Sequence, residues 1–353
     1  MDENDIVEGI LEIAADGEPD ALLELSVASS HEELYDAASE AYGSWDGALA
    51  AALCQTASER SESRSTDEET IVRSVGKQAR QPIFAATTNN AFFKIDPGLD
   101  LEVTDQPRHL PTPPGSGPVA HLHHVGDPEG LLVFSNRGRY FWLDPRMVPR
   151  WQGEKEVRRF DSVLGLEEGE VLEYVLPRRT IFGGRIVHVT AGGKGKATET
   201  SDYDKTMDRE GRRAFLLNEG DRPVAVMAIP GDTPIFCASA HGRGILFPDD
   251  ELRSMGHKAK GVNVMKVDEE DDRVVGAFVG RKVEQVAVLT ESGLGKRVDF
   301  EEFRPQGRAG AGMQLCRLGK DDRVAGVAPC HPSDDLVVST SRGRVQRRPA
   351  GAF

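Results

Sequence analysis

Short blocks of apolar and polar residues alternate along most of this chain, and the blocks repeat. The apolar run Val286–Leu289 leads into a Gly-containing turn and then a basic strand, Thr290–Val298. The same layout occurs six times, with turn residues 48 to 55 positions apart: Asn90, Gly138, Gly193, Gly242, Gly293 and Gly343. Gly, and after it Asn, adopts the positive φ that tight hairpin turns require. A hairpin with this period predicts a propeller-like array.

Each repeat also has a second half, which is clearest in the fourth and fifth units. Met255–Val267 matches Gln306–Leu318, and the apolar positions predict two further strands in the fourth unit, over 262–267 and 274–279. Four strands per unit are therefore expected. The sixth hairpin, Leu336–Arg348, has no second half, and an incomplete sheet leaves edges open. Ile71–Val75 is the expected closing strand.

The first 58 residues predict a small α-helical module, with Ser30 as an N-cap and Glu33 completing its capping box. Residues 59–70 form the predicted Ser-rich linker. The stretch 41–52 resembles a short helical repeat associated with homing endonucleases, which implies assistance in DNA binding. A helical bundle around Trp45, or a protein-binding role, is the alternative that the acidic charge favours, because phosphate contacts need cations.

Charge divides the chain unevenly. Residues 1–77 contain 19 Asp or Glu and 4 Lys or Arg, which accounts for the whole net charge of −15, so the repeats are neutral overall. Only 12 of the 43 cations are lysine. An acidic chain with few lysines suggests a salt-adapted, halophilic cytoplasm, where screening tolerates high surface charge.

Location and redox state follow from simple features of the sequence. The first residues lack a signal peptide pattern, and no apolar run is long enough for a membrane span, so a cytoplasmic protein without membrane contact is expected. The cysteines form no CxxC motif, and Cys237 and Cys316 are expected to be reduced core thiols.

Residues 78–353 resemble the C-terminal domain of DNA gyrase A and of its topoisomerase IV counterpart. The resemblance rests on Thr290–Arg297, on the loop Phe303–Gly312, on Leu246–Val262 and on Leu131–Leu143. It implies a mainly β fold, a six-bladed β-pinwheel over 71–353, that binds duplex DNA on its outer rim and bends or wraps it. Gyrase or topoisomerase subunits are the implied protein partners.

Two departures from the family limit what the resemblance implies. The sequence lacks the family's catalytic region, and Tyr140, which follows Arg139, falls in a repeat hairpin and is expected to be structural. The chain alone is therefore expected to lack catalysis, cofactors and metals, and to contribute only to an ATP-dependent type II topoisomerase if it contributes to an enzyme. The basic box of wrapping gyrases is also replaced, by Gln106–Gly117, with one Arg and four prolines.

Phosphate binding needs cations along a curved surface and glycines that let the backbone approach. Loop and hairpin cations at recurring repeat positions are the predicted DNA contacts: Arg158, Arg159, Lys194, Lys196, Arg212, Arg213, Arg243, Arg253, Lys258, Lys260, Lys296, Arg297, Arg304, Arg308, Arg344, Arg347 and Arg348. No base-reading helix is evident, so binding is expected to depend on DNA shape.

Other motifs have simpler explanations. Gly192–Lys196 matches the repeat turn and lacks P-loop spacing. His121, His123 and His124 are expected to pack rather than bind metal, Trp142 and Trp151 to pack between blades, and Asp321, Asp322 and 268–272 to form solvated turns. The leading interpretation is a non-catalytic DNA-binding protein. The alternatives are a scaffold that has lost DNA binding and an accessory component of a DNA topoisomerase.

Overall fold

The computed structural model describes residue 37 and residues 70–75, 83–87, 90–95, 108–109, 119–124, 130–151, 164–178, 184–203, 210–267, 271–340 and 344–353. The chain divides into two compact units, Met1–Asp67 and Glu68–Phe353. The helical module predicted over 1–58 lies outside the described residues except at residue 37. The Ser-rich linker lies outside them too, except at Thr70, as does the turn residue Gly343.

The second unit is built from short strands. In chain order they are β1 (Thr70–Val75), β2 (Ile83–Thr87), β3 (Phe92–Ile95), β4 (Arg108–His109), β5 (Val119–His124), β6 (Leu131–Ser135), β7 (Arg139–Leu143), β8 (Leu172–Pro177), β9 (Arg185–Thr190), β10 (Lys194–Glu199), β11 (Arg212–Arg213), β12 (Pro223–Ile229), β13 (Ile235–Ser239), β14 (Arg243–Phe247), β15 (Val262–Asn263), β16 (Val274–Val279), β17 (Gln285–Thr290), β18 (Gly295–Asp299), β19 (Met313–Gln314), β20 (Val324–Cys330), β21 (Asp335–Thr340) and β22 (Arg344–Pro349). One-turn 3-10 helices follow the hairpins at Pro145–Met147, Thr200–Asp202, Asp249–Glu251, Phe300–Glu302 and Ala350–Ala352.

The described strands form six antiparallel sheets. Four have four strands, in the orders β1-β21-β22-β4, β11-β7-β6-β8, β12-β9-β10-β15 and β16-β13-β14-β19, and two have three, β3-β2-β5 and β18-β17-β20. Strands β5, β8, β12, β16, β20 and β1 each contact the next in that order, and β1 returns to β5. A mainly β, propeller-like architecture is therefore confirmed. Four of the six sheets have the predicted four strands, and in the other two the described residues supply three.

The outer strand of a sheet comes from the following repeat. Strand β15 pairs with β10 through Lys194 and Asn263, and β19 pairs with β14 through Arg243 and Gln314. The prediction of a strand over 262–267 is thus wrong in length, since only Val262–Asn263 is a strand, and the strand belongs to the preceding sheet. We call the segments that carry these outer strands, residues 253–267 and 304–318, the edge loops.

The sheet of the last hairpin is closed by the first strand of the domain. Strand β1 pairs with β21 from Thr70 opposite Thr340 to Val75 opposite Asp335. This confirms the prediction that 71–75 completes the sixth hairpin's sheet. The hairpin's other side is covered by β4, which pairs through His109 and Arg344.

The hairpin turns have the backbone that their residue types predicted. The φ angle is 59° at Asn90, 71° at Gly138 and Gly193, 73° at Gly242 and 87° at Gly293. Side chains of the middle strands are buried on both faces because neighbouring sheets cover them, as in β6 and β13, where all five residues are buried. Cys237, Cys316 and Cys330 are buried free thiols, as predicted for the first two.

An aspartate fixes the turn of several hairpins from the far end of its repeat. Asp221 accepts hydrogen bonds from the Thr190 hydroxyl at 2.6 Å and the Gly192 amide at 2.8 Å. Asp272 accepts from the His241 amide at 3.0 Å, and Asp322 accepts from the Ser292 amide at 3.1 Å. Asp272 and Asp322 were predicted to lie in solvated turns, but both accept hydrogen bonds that fix a hairpin turn.

Candidate nucleic-acid interface

Each described edge loop lies across the hairpin of the preceding sheet and presents side chains on the outside of the domain. Its glycines permit close approach: a Cβ on Gly261 would lie 2.4 Å from the carbonyl oxygen of Gly195, and one on Gly312 would lie 2.6 Å from that of Gly244. Both glycines have positive φ, 85° and 70°. Glycine is required here to dock the loop, so the predicted glycine-rich surface is first a structural device.

The cation directly after the hairpin turn binds the incoming edge loop. The ammonium of Lys194 donates to the Asn263 side-chain oxygen at 2.6 Å. The guanidinium of Arg243 donates to the carbonyl oxygens of Ala311 at 3.2 Å and Gly312 at 3.1 Å. These two predicted DNA contacts therefore already hold loops in place.

Arg308 also holds its loop rather than projecting freely. Its Nε donates to the Glu251 carbonyl at 3.2 Å, its Nη1 donates to the Asn263 carbonyl at 3.0 Å, and its amide donates to the Glu251 carboxylate at 2.8 Å. His257 occupies the equivalent position one repeat earlier, and its ring nitrogens lie 3.2 and 3.0 Å from the carbonyl oxygens of Ala214 and Asp202. The residue at this position therefore joins consecutive repeats through hydrogen bonds.

Lys196 is buried, which is incompatible with the predicted contact to DNA. Its side chain is 1% exposed, and Nζ donates to the carbonyl oxygens of Ala214 at 2.8 Å and Gly256 at 3.0 Å. Burial lowers the pKa of Lys196 from 10.5 to about 8, because the charged form loses its hydration. The ammonium of Lys196 is therefore not available to contact a DNA phosphate.

The predicted cations of the last two hairpins also form contacts within the protein or are partly buried. Arg347 forms an ion pair of 2.9 Å with Asp335, and both side chains are nearly buried. Arg297 donates to the Gln285 side chain at 2.8 Å. Arg344 and Arg348 are half-buried. Arg347 is a structural residue, because a paired and dehydrated guanidinium cannot also bind phosphate without losing its partner.

A second group of predicted cations is exposed. Its members are Arg212, Arg213, Arg253, Lys258, Lys260, Lys296 and Arg304. Arg253 and Arg304 occupy the same position in consecutive edge loops, and Arg212 and Arg213 form the outer strand β11 of the sheet before them. Arg158 and Arg159 lie outside the described residues, and so does Gln106–Gly117 apart from β4.

Two exposed cations were missed in the sequence. Lys266 and Arg317 are exposed and equivalent in the alignment of the fourth and fifth units. The sequence did contain a signal for them, because the alignment of the two units places Lys266 opposite Arg317, and each follows two apolar residues. Together with Arg253 and Arg304, they give each edge loop a matched pair of exposed cations.

The tyrosine, tryptophan and histidine side chains of the other motifs pack within the domain. Tyr140 is 3% exposed and packs edge-on against Tyr203, so it is a strand residue as predicted. Trp142 is buried and Trp151 packs on Phe93, as predicted. His121 and His123 are buried, and within the described ranges no group of three or more His, Cys, Asp or Glu residues is arranged to hold a metal ion. No helix in those ranges is long and apolar enough to cross a bilayer.

The architecture defines a repeat domain of the propeller class, with each outer strand exchanged between neighbours. Residues 233–280 and 284–331 match the family model of the DNA gyrase C-terminal domain, beta-propeller. Over 231 residues the chain is 28% identical to the DNA gyrase A protein of Salmonella typhimurium and 30% identical to that of Klebsiella oxytoca. The alignments cover 65% of this chain and 26% of each relative, so the chain spans about a quarter of their length.

Solved structures show the same fold. The C-terminal domain of DNA topoisomerase IV superposes with a TM-score of 0.61 and 19% identity, over 82% of this chain and 86% of that one. The DNA gyrase A C-terminal domain superposes with a TM-score of 0.65 and 17% identity, over 77% and 90%. The similarity to the C-terminal domains of gyrase A and topoisomerase IV that the sequence predicted is confirmed.

Replacing Arg308 with alanine is expected to lower the free energy of unfolding by about 1–2 kcal/mol, because two carbonyl oxygens lose a charged donor. Replacing exposed Arg304 with alanine is expected to change it by less than about 0.5 kcal/mol. Urea denaturation of the two variants measures this difference. Equal free energies of unfolding would show that the Arg308 hydrogen bonds do not stabilise the fold.

Proposed function

We propose that this protein is a non-catalytic DNA-binding protein whose exposed edge-loop cations contact the phosphates of duplex DNA. The observation that carries the proposal is the recurrence of exposed cations at matching positions, Arg253 with Arg304 and Lys266 with Arg317. Phosphates along a duplex are regularly spaced, so cations at a regular spacing on consecutive sheets suit backbone contact without base reading.

The proposed path of DNA follows the outer edges of the sheets. We propose that the six sheets act as six blades of a closed β-pinwheel, because the inner strands contact one another in a closed order. Cations on a convex edge favour DNA that curves towards them, and the cost of that curvature depends on sequence flexibility. Binding with bending, and a preference for deformable DNA, follow from this geometry.

Full wrapping is not part of the proposal, because the first repeat's loop differs. In three other repeats, the residue directly before the outer strand is a glycine with positive φ: Gly211, Gly261 and Gly312. Pro107 holds that place before β4, and proline is fixed near φ −65°. The family's basic box is also absent from Gln106–Gly117. The contact is therefore proposed for the sheets that carry β11 and the two edge loops.

A salt-dependent binding assay tests the proposal. We expect the double change Arg253→Glu and Arg304→Glu to weaken binding to duplex DNA at least ~10-fold and to reduce the salt slope by about 2, one for each lost phosphate contact. The matched control is Arg281→Glu with Lys282→Glu, which makes the same charge change at exposed cations between β16 and β17. Equal losses in both variants would leave only a non-specific charge effect.

A scaffold function is the second candidate. It is favoured by the engagement of Lys194, Arg243 and Arg308 within the protein. Unchanged DNA affinity in the double variant would support it.

Because the relatives are gyrase subunits, we further propose a role beside type II topoisomerase subunits in the cytoplasm. If that cytoplasm is salt-adapted, its high salt concentration would weaken each phosphate contact.

A further inference from the structure

Two sheets, β3-β2-β5 and β18-β17-β20, have an outer edge that no described strand covers, and the edge of the second is fully described from its turn onwards. In β11-β7-β6-β8, β12-β9-β10-β15 and β16-β13-β14-β19, a strand from the next repeat lies outside the hairpin, whereas β18 is the last described strand of its sheet. We call Gly293–Arg297, the turn and the start of β18, the open edge. It differs from its three counterparts in burial, hydrogen bonding and packing.

Burial shows the difference first. The turn glycines Gly138, Gly193 and Gly242 are buried, while Gly293 is exposed. A Cβ on Gly193 would lie 2.6 Å from the carbonyl oxygen of Met265 in the covering loop, but one on Gly293 would have no described atom within 4 Å. Leu294 is 67% exposed, the most exposed large apolar side chain in the described ranges.

Hydrogen bonding gives the same result independently. In the three covered sheets, the carbonyl oxygen of the turn glycine accepts a hydrogen bond from the first residue after the outer strand. The donors are the amides of Ala214, Val264 and Leu315, each at 2.8 Å. For Gly293, the described residues provide no such donor. Backbone groups of Gly295 and Arg297 face the same side by the alternation of a strand.

The described apolar core beneath the open edge is also less extensive than its counterparts. In the covered sheets, the two residues after the outer strand are apolar and buried between sheets: Ala214 with Phe215, Val264 with Met265 and Leu315 with Cys316. The described core clusters between β17 and β21 contain only residues of β17, β20 and β21 and of 350–353. No described loop supplies an apolar pair there.

The surroundings indicate the charge of an occupant. Glu302 is equivalent to Glu251, whose carboxylate and carbonyl oxygens bind Arg308 of the covering loop. Glu301 and Glu302 are both exposed. A segment with an arginine at the Arg308 position would be bound here by the same contacts, so the charge of this surface is complementary to a basic peptide.

We propose that the open edge binds an extended, basic, glycine-containing segment of another protein by adding a short strand to β18. The segment has an arginine, then glycine before a two-residue strand, then two consecutive apolar residues. Added strands gain affinity from main-chain hydrogen bonds and specificity from the pockets that their side chains fill. This proposal rests on an edge that no described strand covers, and it is independent of DNA binding.

The chain's own sequence favours an external segment. In the third and fifth repeats the outer strand starts 11 residues before the inner strand, at Arg212 before Pro223 and at Met313 before Val324. The same spacing before β1 falls at Glu59, within Ser58–Glu62, which reads Ser-Glu-Arg-Ser-Glu. That stretch has neither the glycine nor the apolar pair.

The test uses a synthetic peptide with the sequence of Gln306–Leu318, carrying Cys316→Ala, added to the full chain. We expect saturable binding and slower hydrogen exchange at the amides of Gly295 and Arg297. The matched control is the same peptide N-methylated at the Leu315 amide, the group that would donate to Gly293. Losing that donor is expected to weaken binding about 10-fold, and Leu315→Asp in the peptide is expected to abolish it.

Three outcomes would overturn the proposal. Equal affinity of the methylated peptide would exclude strand addition, and protection elsewhere would exclude this edge. Amides of Gly295 and Arg297 that are already protected without peptide would show another occupant. Protection independent of protein concentration would assign the edge to this chain's own residues, and protection that rises with concentration would assign it to a second copy.

Discussion

Replacing Gly193 with alanine is expected to lower the free energy of unfolding by about 4 kcal/mol, whereas the same change at Gly293 is expected to cost about 1–2 kcal/mol. Both residues have positive φ, 71° and 87°, so both variants force alanine into a left-handed backbone. Only at Gly193 would the new Cβ also meet an obstacle, the Met265 carbonyl oxygen at 2.6 Å. The difference between the variants isolates the docking of the edge loop.

Gly242→Ala provides an intermediate case. A Cβ there would lie 3.1 Å from the Cys316 carbonyl oxygen, so its cost is expected between the other two. Chemical denaturation followed by circular dichroism ranks the three variants, and the two milder ones keep the comparison valid even if Gly193→Ala fails to fold. A ranking without this order would show that loop docking does not select glycine in these turns.

The stability of the protein is expected to rise between pH 8 and pH 10.5 because of Lys196. The unfolded lysine keeps its proton up to about its ordinary pKa of 10.5, while the folded one loses it near pKa 8. The unfolded state therefore binds more protons in this window, and the free energy of unfolding increases with pH. The full shift corresponds to a gain of about 3 kcal/mol.

Lys196→Met should remove this rise, because methionine does not titrate and fits a buried position. The comparison is the difference between wild type and variant across the window, so that other lysines and tyrosines cancel. Lys258→Met, at an exposed lysine, is the control and should leave the rise intact. A rise of equal size in wild type and Lys196→Met would contradict a buried, dehydrated lysine at this position.

The hairpins were predictable because their signal is local. A tight turn needs positive φ, only Gly and Asn adopt it at low cost, and the turn residues therefore mark each repeat. The closing role of 71–75 was predictable for a different reason, since an inner strand was missing and one apolar segment remained. In contrast, two-residue strands such as Val262–Asn263 show no periodicity, so their exchange between sheets left no pattern to detect.

The site was harder to predict because charge alone does not indicate exposure. Aligning the turns places Lys196 opposite Ile245, a buried residue of β14, and this alignment indicates an interior position. Similarly, Arg308 is equivalent to His257, so the position does not require a permanent cation. Recurrence of a cation between repeats therefore has two origins, docking and surface charge, and only the three-dimensional contacts separate them.

The pairing of β1 with β21 makes the order of synthesis important. The ribosome releases 70–75 first and 335–340 near the end of the domain, yet these segments are neighbours in one sheet. Domains made N-terminal first can fold while translation continues, but this sheet cannot. Strand β1 therefore remains without its neighbour in this sheet until almost the whole domain has emerged.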